Sequence, residues 1–326
     1  MIQFESVTKI YPDGTAAVSD FSLTVPSHRT VALVGSSGSG KTTLLRMVNR
    51  MVDPTSGRVL IDDEDVLDRD PVVLRRSIGY VLQNGGLLPH RTVLDNIATV
   101  PVLTGRPRKK ARAEAKELLE RVGLDPSLGD RYPAQLSGGQ QQRVGVARAL
   151  ALDPNILLMD EPFGAVDPIV RGELQDELVR LQAELGKTIV FVTHDIEEAF
   201  RLGDEVVVLK EGGEIAQRGT PAEILASPAD DFVRDFVGLG RADLHLQVRE
   251  VEGRAMVVDP DGRPLGFLEG ASRDDADAGR ESGLGRPGGP EGRTTGAATG
   301  APAAATPPAT AADTDSPGDR SAGRDA

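Results

Sequence analysis

The chain has 326 residues, a net charge of −13 and only 3% aromatic residues, enough length for about two domains. So acidic a chain lacks the basic face that a nucleic-acid partner wants, and the absence of cysteine excludes disulfides and thiolate zinc sites. No apolar run approaches the ~20 residues needed to span a bilayer, and Met1-Ile2-Gln3-Phe4-Glu5 lacks signal-peptide character, so a cytosolic chain that reaches a membrane only through partners is expected.

In chain order, Tyr11-Pro12-Asp13-Gly14 reads as a turn, and Val31-Ala32-Leu33-Val34 as a short buried strand. Gly35-Ser36-Ser37-Gly38-Ser39-Gly40-Lys41-Thr42 follows, and Thr43-Leu44-Leu45-Arg46-Met47 then has helical character. Strand, glycine-rich loop and helix form the context that a phosphate-binding loop requires. Its backbone N–H groups can curl around phosphates while the helix presents its positive end to the same charge. Lys41 is expected to reach the β- and γ-phosphates of a nucleotide, and the Thr42 hydroxyl to ligate Mg²⁺.

The apolar run Ile78-Gly79-Tyr80-Val81-Leu82 leads to Gln83, and residues from about 85 to 152 are richer in helical patterning, notably Lys109 to Val122. The basic cluster Arg106, Arg108, Lys109, Lys110 and Arg112 suits a solvated helix start or contact with anionic lipid. Leu136-Ser137-Gly138-Gly139-Gln140 comes next. Ser137 and Gln140 have capping-box spacing, and Val144, Ala147 and Ala151 recur at helical intervals, so the segment is a helix N-terminus able to meet an anion or simply a capped helix.

Ile156-Leu157-Leu158-Met159 has the continuous apolarity of a strand buried on both faces. Asp160 and Glu161 then emerge at its carboxyl end, where open α/β sheets place ligands. Asp160 is positioned to hold Mg²⁺, and Glu161 to orient and deprotonate an attacking water. Gly164-Ala165-Val166-Asp167 reads as a turn. Thr188 to Thr193 is a further buried-strand run that delivers His194 to the same sheet edge. Short apolar runs at Leu246–Val248, Met256–Val258 and Leu265–Leu268, with a turn at Asp259-Pro260-Asp261-Gly262, predict a small β segment over residues 240–270. Residues 271–326, dominated by Gly, Ala, Pro, Thr, Asp and Arg, read as a disordered tail.

With Leu136–Gln140 lying between the phosphate loop and the Asp160-Glu161 pair, residues 1–239 resemble the ATPases of the ABC (ATP-binding cassette) type. The resemblance implies an α/β P-loop NTPase fold with a helical subdomain inserted at about 85–152. It implies that Tyr11 stacks on adenine and that Gly35 to Thr43 bind the triphosphate. Gln83 joins the metal site to the surface that meets a membrane partner, His194 contacts the γ-phosphate, and Gly164–Asp167 line a dimer interface. Ser137, Gly138, Gly139 and Gln140 meet the nucleotide held by a second copy, so the chain is expected to form a homodimer on ATP.

Tyr11–Thr15, Leu87-Leu88-Pro89-His90-Arg91-Thr92-Val93 and Thr193–Ala199 are similar to the ATPase subunits of osmoprotectant importers, and related amino-acid importers share similar strings. That resemblance implies ATP with Mg²⁺, membrane permease subunits, a separate substrate-binding protein and a peripheral place on the cytoplasmic face of the membrane. Many such subunits carry tandem CBS modules after the ATPase; here Met256 to Leu268 resembles at most a fragment of one. A quaternary ammonium favours an aromatic cage. The chain has no Trp and three Tyr, so substrate selectivity is expected in the partner proteins. The alternatives are, in order, the ATPase subunit of an amino-acid importer and a soluble, non-transporting ABC ATPase, though soluble ones usually carry long coiled coils or two fused cassettes.

Overall fold

The computed structural model describes residues 1–239 except 84 and 165–167, together with 247–251, 254–258 and 262–267. Its strands are β1 (Ile2–Ile10), β2 (Ala16–Val25), β3 (Thr30–Gly35), β4 (Ser56–Ile61), β5 (Glu64–Asp65), β6 (Ile78–Val81), β7 (Ile156–Asp160), β8 (Thr188–Thr193), β9 (Glu205–Leu209) and β10 (Ile215–Gly219). Two sheets form from them. One is antiparallel, in the order β2-β1-β4-β5; the other runs β10-β9-β3-β8-β7-β6 and is parallel except where β10 pairs with β9.

The continuous apolar runs have a direct explanation. Val31, Leu33, Leu158, Val190 and Val192 enter one core, shared with Phe4, Phe21 and the antiparallel sheet. Their neighbours Ala32, Val34, Met159, Ile189 and Phe191 enter a second core on the opposite face. With side chains alternating across a strand, both faces of the parallel sheet are dry, so the interior of each run is apolar and the buried Thr188 and Thr193 stand only at the ends of β8. Burial of each large side chain is worth about 1.5–3 kcal/mol.

The helices are α1 (Lys41–Val48), α2 (Pro71–Ser77), α3 (Val93–Ile97), α4 (Thr99–Leu103), α5 (Arg108–Arg121), α6 (Gly138–Leu150), α7 (Pro168–Leu185), α8 (Ile196–Leu202), α9 (Pro221–Ala226) and α10 (Asp231–Phe236). Helices α3 to α6 lie within the stretch predicted to be helical, and they have a core of their own built from Ile97, Ala115, Leu119, Leu128 and Val144. Buried Asn96 pins the loop before α3: its amide nitrogen donates to the carbonyls of Leu88, Arg91 and Thr92 at 3.1, 3.1 and 3.0 Å. Three of the five residues in the basic cluster are paired inside this region, Arg106 with Glu114, Arg108 with Asp95, and Arg112 with Asp95 and Asp130.

Helix α6 begins at Gly138, where the Ser137–Gln140 capping-box spacing predicts. Ser137 caps it, which places both glycines in the first turn, where propensity matters less than the cap. Beyond residue 239, β11 (Gln247–Val251), β12 (Arg254–Val258) and β13 (Pro264–Phe267) form an antiparallel three-stranded sheet. This agrees with the predicted β segment; most of its Asp-Gly turn, the Ala165–Asp167 part of the predicted interface loop and the tail lie outside the described residues.

Candidate functional site

Three parallel strands and the loop after a fourth deliver the polar residues to one edge of the sheet. Between β3 and α1 the chain closes a tight loop in which the Lys41 ammonium is buried. It donates to the carbonyls of Gly35 and Ser36 at 2.7 and 2.8 Å and to Ser39 Oγ at 3.1 Å. Burial pushes its pKa down, while the charges of Glu161 and Asp160 oppose that shift. A lysine held only by uncharged acceptors is poised to exchange them for stronger anionic partners. Gly40 must be glycine twice over: its φ is +80°, and an added Cβ would stand 2.5 Å from the Ala17 carbonyl oxygen.

Next along α1, Thr42 Oγ1 donates to Asp160 Oδ1 at 2.9 Å, so phosphate loop and acidic pair meet. Asp160 also accepts from the Tyr80 hydroxyl at 3.3 Å and pairs with Arg46 at 3.6 Å. Burial and the adjacent Asp160 charge raise the Tyr80 pKa to about 12, which keeps the phenol a donor. Neither Tyr80 nor Arg46 is among the residues singled out by the sequence patterns. Arg46 was within reach, because Thr42 and Arg46 stand four apart on one helix face.

Glu161 has φ +44°, a left-handed conformation rare for a residue with a side chain. Its N–H is held by the Val192 carbonyl at 3.0 Å, and the bend turns its carboxylate out of the sheet. Gln83 Nε2 donates to Glu161 Oε2 at 2.9 Å, and His194 Nδ1 lies 3.5 Å from the same oxygen. His194 is positioned from behind. Thr193 Oγ1 donates to buried Glu198 at 2.7 Å and accepts the Asp195 N–H at 3.0 Å, and Arg171 of α7 reaches Asp195 at 3.4 Å.

Tyr11 joins the loop as well, its hydroxyl 3.3 Å from Thr43 Oγ1. Ser137 and Gln140 complete a capping box: Gln140 N–H donates to Ser137 Oγ at 3.2 Å and Ser137 N–H to Gln140 Oε1 at 3.0 Å. Among the described residues no acceptor takes the serine O–H, and no hydrogen bond links Ser137–Gln140 to the phosphate loop of the same chain.

The residues suit a magnesium ion. Thr42 and Asp160 present hard oxygen donors side by side, yet among the described residues no three His, Asp or Glu side chains cluster for a metal. So few protein donors would leave the remaining positions to phosphate oxygens and water, as is usual for Mg²⁺ beside a nucleotide.

A parallel sheet whose strand-to-helix loop cradles a lysine against an acidic pair defines the P-loop class of nucleotide-binding α/β proteins. Residues 18–164 match the ABC transporter family pattern. Among its relatives, the carnitine transport ATP-binding protein OpuCA of Listeria monocytogenes is 53% identical over 241 residues, 74% of this chain and 60% of that protein. The glycine betaine uptake system ATP-binding protein YehX of Escherichia coli is 47% identical over 258 residues, 79% of this chain and 82% of its own length. The dimeric structure of MJ0796, a bacterial ABC transporter cassette, superposes with a TM-score of 0.62 at 38% identity, covering 68% of this chain and 99% of the cassette. The chain belongs to the ATP-binding proteins of the ABC transporter family, and it spans 60% of the length of the Listeria relative.

Proposed function

We propose that this chain is the ATP-hydrolysing subunit of an importer for a quaternary amine osmoprotectant such as glycine betaine, choline, carnitine or proline betaine. The convergence of Lys41, Thr42, Asp160, Glu161, Gln83 and His194 at one sheet edge carries the hydrolytic part of this reading. The activities named for the relatives, carnitine transport and glycine betaine uptake, support the substrate class. Residues 1–239 form the ATPase domain, with the helical subdomain at about 85–152 and accessory segments at 240–270 and 271–326.

In this reading Gly35 to Thr43 grip the triphosphate of ATP, Lys41 trades its carbonyl partners for phosphate oxygens, and Tyr11 packs against the base. Thr42 and Asp160 hold Mg²⁺, joined by Gln83; bound there, the ion neutralises charge building on the phosphates. Glu161 takes a proton from the attacking water. Gln83 orients the Glu161 carboxylate, and His194 reaches from that same oxygen toward the γ-phosphate. Ser137, with its O–H uncommitted, and the first-turn amides of α6 serve a nucleotide held by a second copy, so two chains close head to tail on ATP.

Two of the three tyrosines, Tyr11 and Tyr80, are engaged at the nucleotide site. With no Trp and one further Tyr, few rings remain to cage a quaternary ammonium, which supports selection by a separate binding protein and a permease, with this subunit peripheral on the cytoplasmic face of the membrane. Glu161→Gln is the direct test. The variant should bind ATP and accumulate as a dimer by light scattering while phosphate release falls at least about a hundredfold; undiminished turnover refutes the assignment. Stimulation of the reconstituted complex by glycine betaine or choline, with the matching binding protein, tests the substrate class.

A further inference from the structure

We propose that Arg148 is a positioning residue that locks the loop after Gln83 onto α6, so that Gln83 and the Ser137 helix tip move as one body. The inference rests on the nucleotide roles proposed above for those two residues.

Arg148 stands near the end of α6, and its guanidinium spans two successive carbonyls, Nη1 donating to Gly86 O and Nη2 to Gly85 O, both at 2.7 Å. Among the described residues no carboxylate pairs with it. Burial pushes its pKa down and no neighbouring charge opposes the shift. A desolvated cation paired only with carbonyls is costly. An aliphatic side chain would fill the space with no such penalty, so the feature that accounts for arginine here is its rigid fork, matched to two acceptors side by side.

The loop is shaped for the same contact. Gly85 and Gly86 have φ of +66° and +56°, consecutive left-handed residues that turn both carbonyls toward Arg148. Gly145 on α6 faces Gly85 so closely that an added Cβ would stand 3.2 Å from the Gly85 Cα, and a Cβ on Gly85 would stand 3.0 Å from the Gln141 carbonyl oxygen. Backbone lies on backbone, and the fork fastens it. One end of this assembly, Gly85, is two residues away from Gln83, which holds Glu161. The other end is Ser137, eleven residues and about 16 Å up the helix. A rotation of α6 therefore carries Gln83 with it, and the grip of Gln83 on Glu161 is coupled to the pose of the helix tip.

A double-mutant cycle on the full chain tests this, with Arg148→Ala, Gln83→Ala and the pair read by steady-state ATP turnover. Arg148→Ala should lower kcat about tenfold while KM for ATP stays within about twofold, and the pair should be no worse than Gln83→Ala alone, a non-additivity of about fivefold or more. Losses that multiply would overturn the proposal. If the alanine variant fails to fold, Arg148→Lys retains the charge without the fork and should give a smaller loss that likewise disappears in the Gln83→Ala background. Amide hydrogen exchange supplies a readout independent of hydrolysis. Residues 85–88 should exchange faster in Arg148→Lys while β7 and β8 remain as in the parent, and unchanged exchange at 85–88 would overturn the inference. A parent chain that does not hydrolyse ATP would refute the function proposed above, and the exchange result would still decide the role of Arg148.

Discussion

At the scale of single residues, the site is a set of acids kept distinct by their surroundings. Asp160 is tied to Thr42, Tyr80 and Arg46, whereas Glu161 carries a left-handed backbone and meets Gln83 and His194. A third acid, Glu198, is buried behind His194. Burial raises its pKa; the Thr193 hydrogen bond opposes the rise, the Asp195 charge adds to it, and the charges of Arg171 and His194 oppose it. The sign follows from proton linkage: the folded chain holds this proton to higher pH than the unfolded chain. Stability from Glu198 is therefore complete below its ordinary 4.5 and is lost as pH rises through the raised folded value. Glu198→Gln retains an acceptor for Thr193 without the buried charge. Its melting temperature relative to the parent should climb as pH rises above 4.5, and a constant difference across that range would contradict the assignment.

At the scale of elements, α6 does most to organise the site. Its first turn is held by the reciprocal Ser137–Gln140 box, its middle packs Val144 and Ala147 into the helical core, and its end carries Arg148. Ser137→Ala removes one cap bond at a cost of about 1 kcal/mol, a drop of about 2–4 °C in melting temperature for a domain of this size. The same change removes the free O–H. In the Glu161→Gln background it should weaken ATP-driven dimer formation by light scattering while leaving nucleotide binding to the separate chain unaltered. A variant that loses stability but dimerises as before would restrict Ser137 to capping.

At the scale of the whole molecule, the order β3-β8-β7-β6 turns residues distant in sequence into neighbours. Asp160 lies 118 residues from Thr42, and Glu161 lies 78 from Gln83, yet each pair is 2.9 Å apart. Among the described residues, the cores that hold those strands contain none beyond 239. Deleting 271–326, a stretch without aromatic residues, should accordingly leave ATP turnover and melting temperature unchanged, as read by phosphate release and thermal denaturation. A large loss of either would assign the tail a structural part.

Much of this was legible in the linear chain. The phosphate loop, the acidic pair and the Ser137 cap are local patterns, because their chemistry is made by residues adjacent in sequence, and strand β8 falls on its predicted bounds because both its faces are buried. Tyr80, Glu198 and Arg148 were not legible as members of the site, since each acts through a partner on another element. Sequence by itself determined which residues have phosphate and carboxylate chemistry and which segments bury both faces. Only the tertiary structure decided which carboxylate meets which donor, because strand order and helix packing set those distances and backbone periodicity carries no information about them.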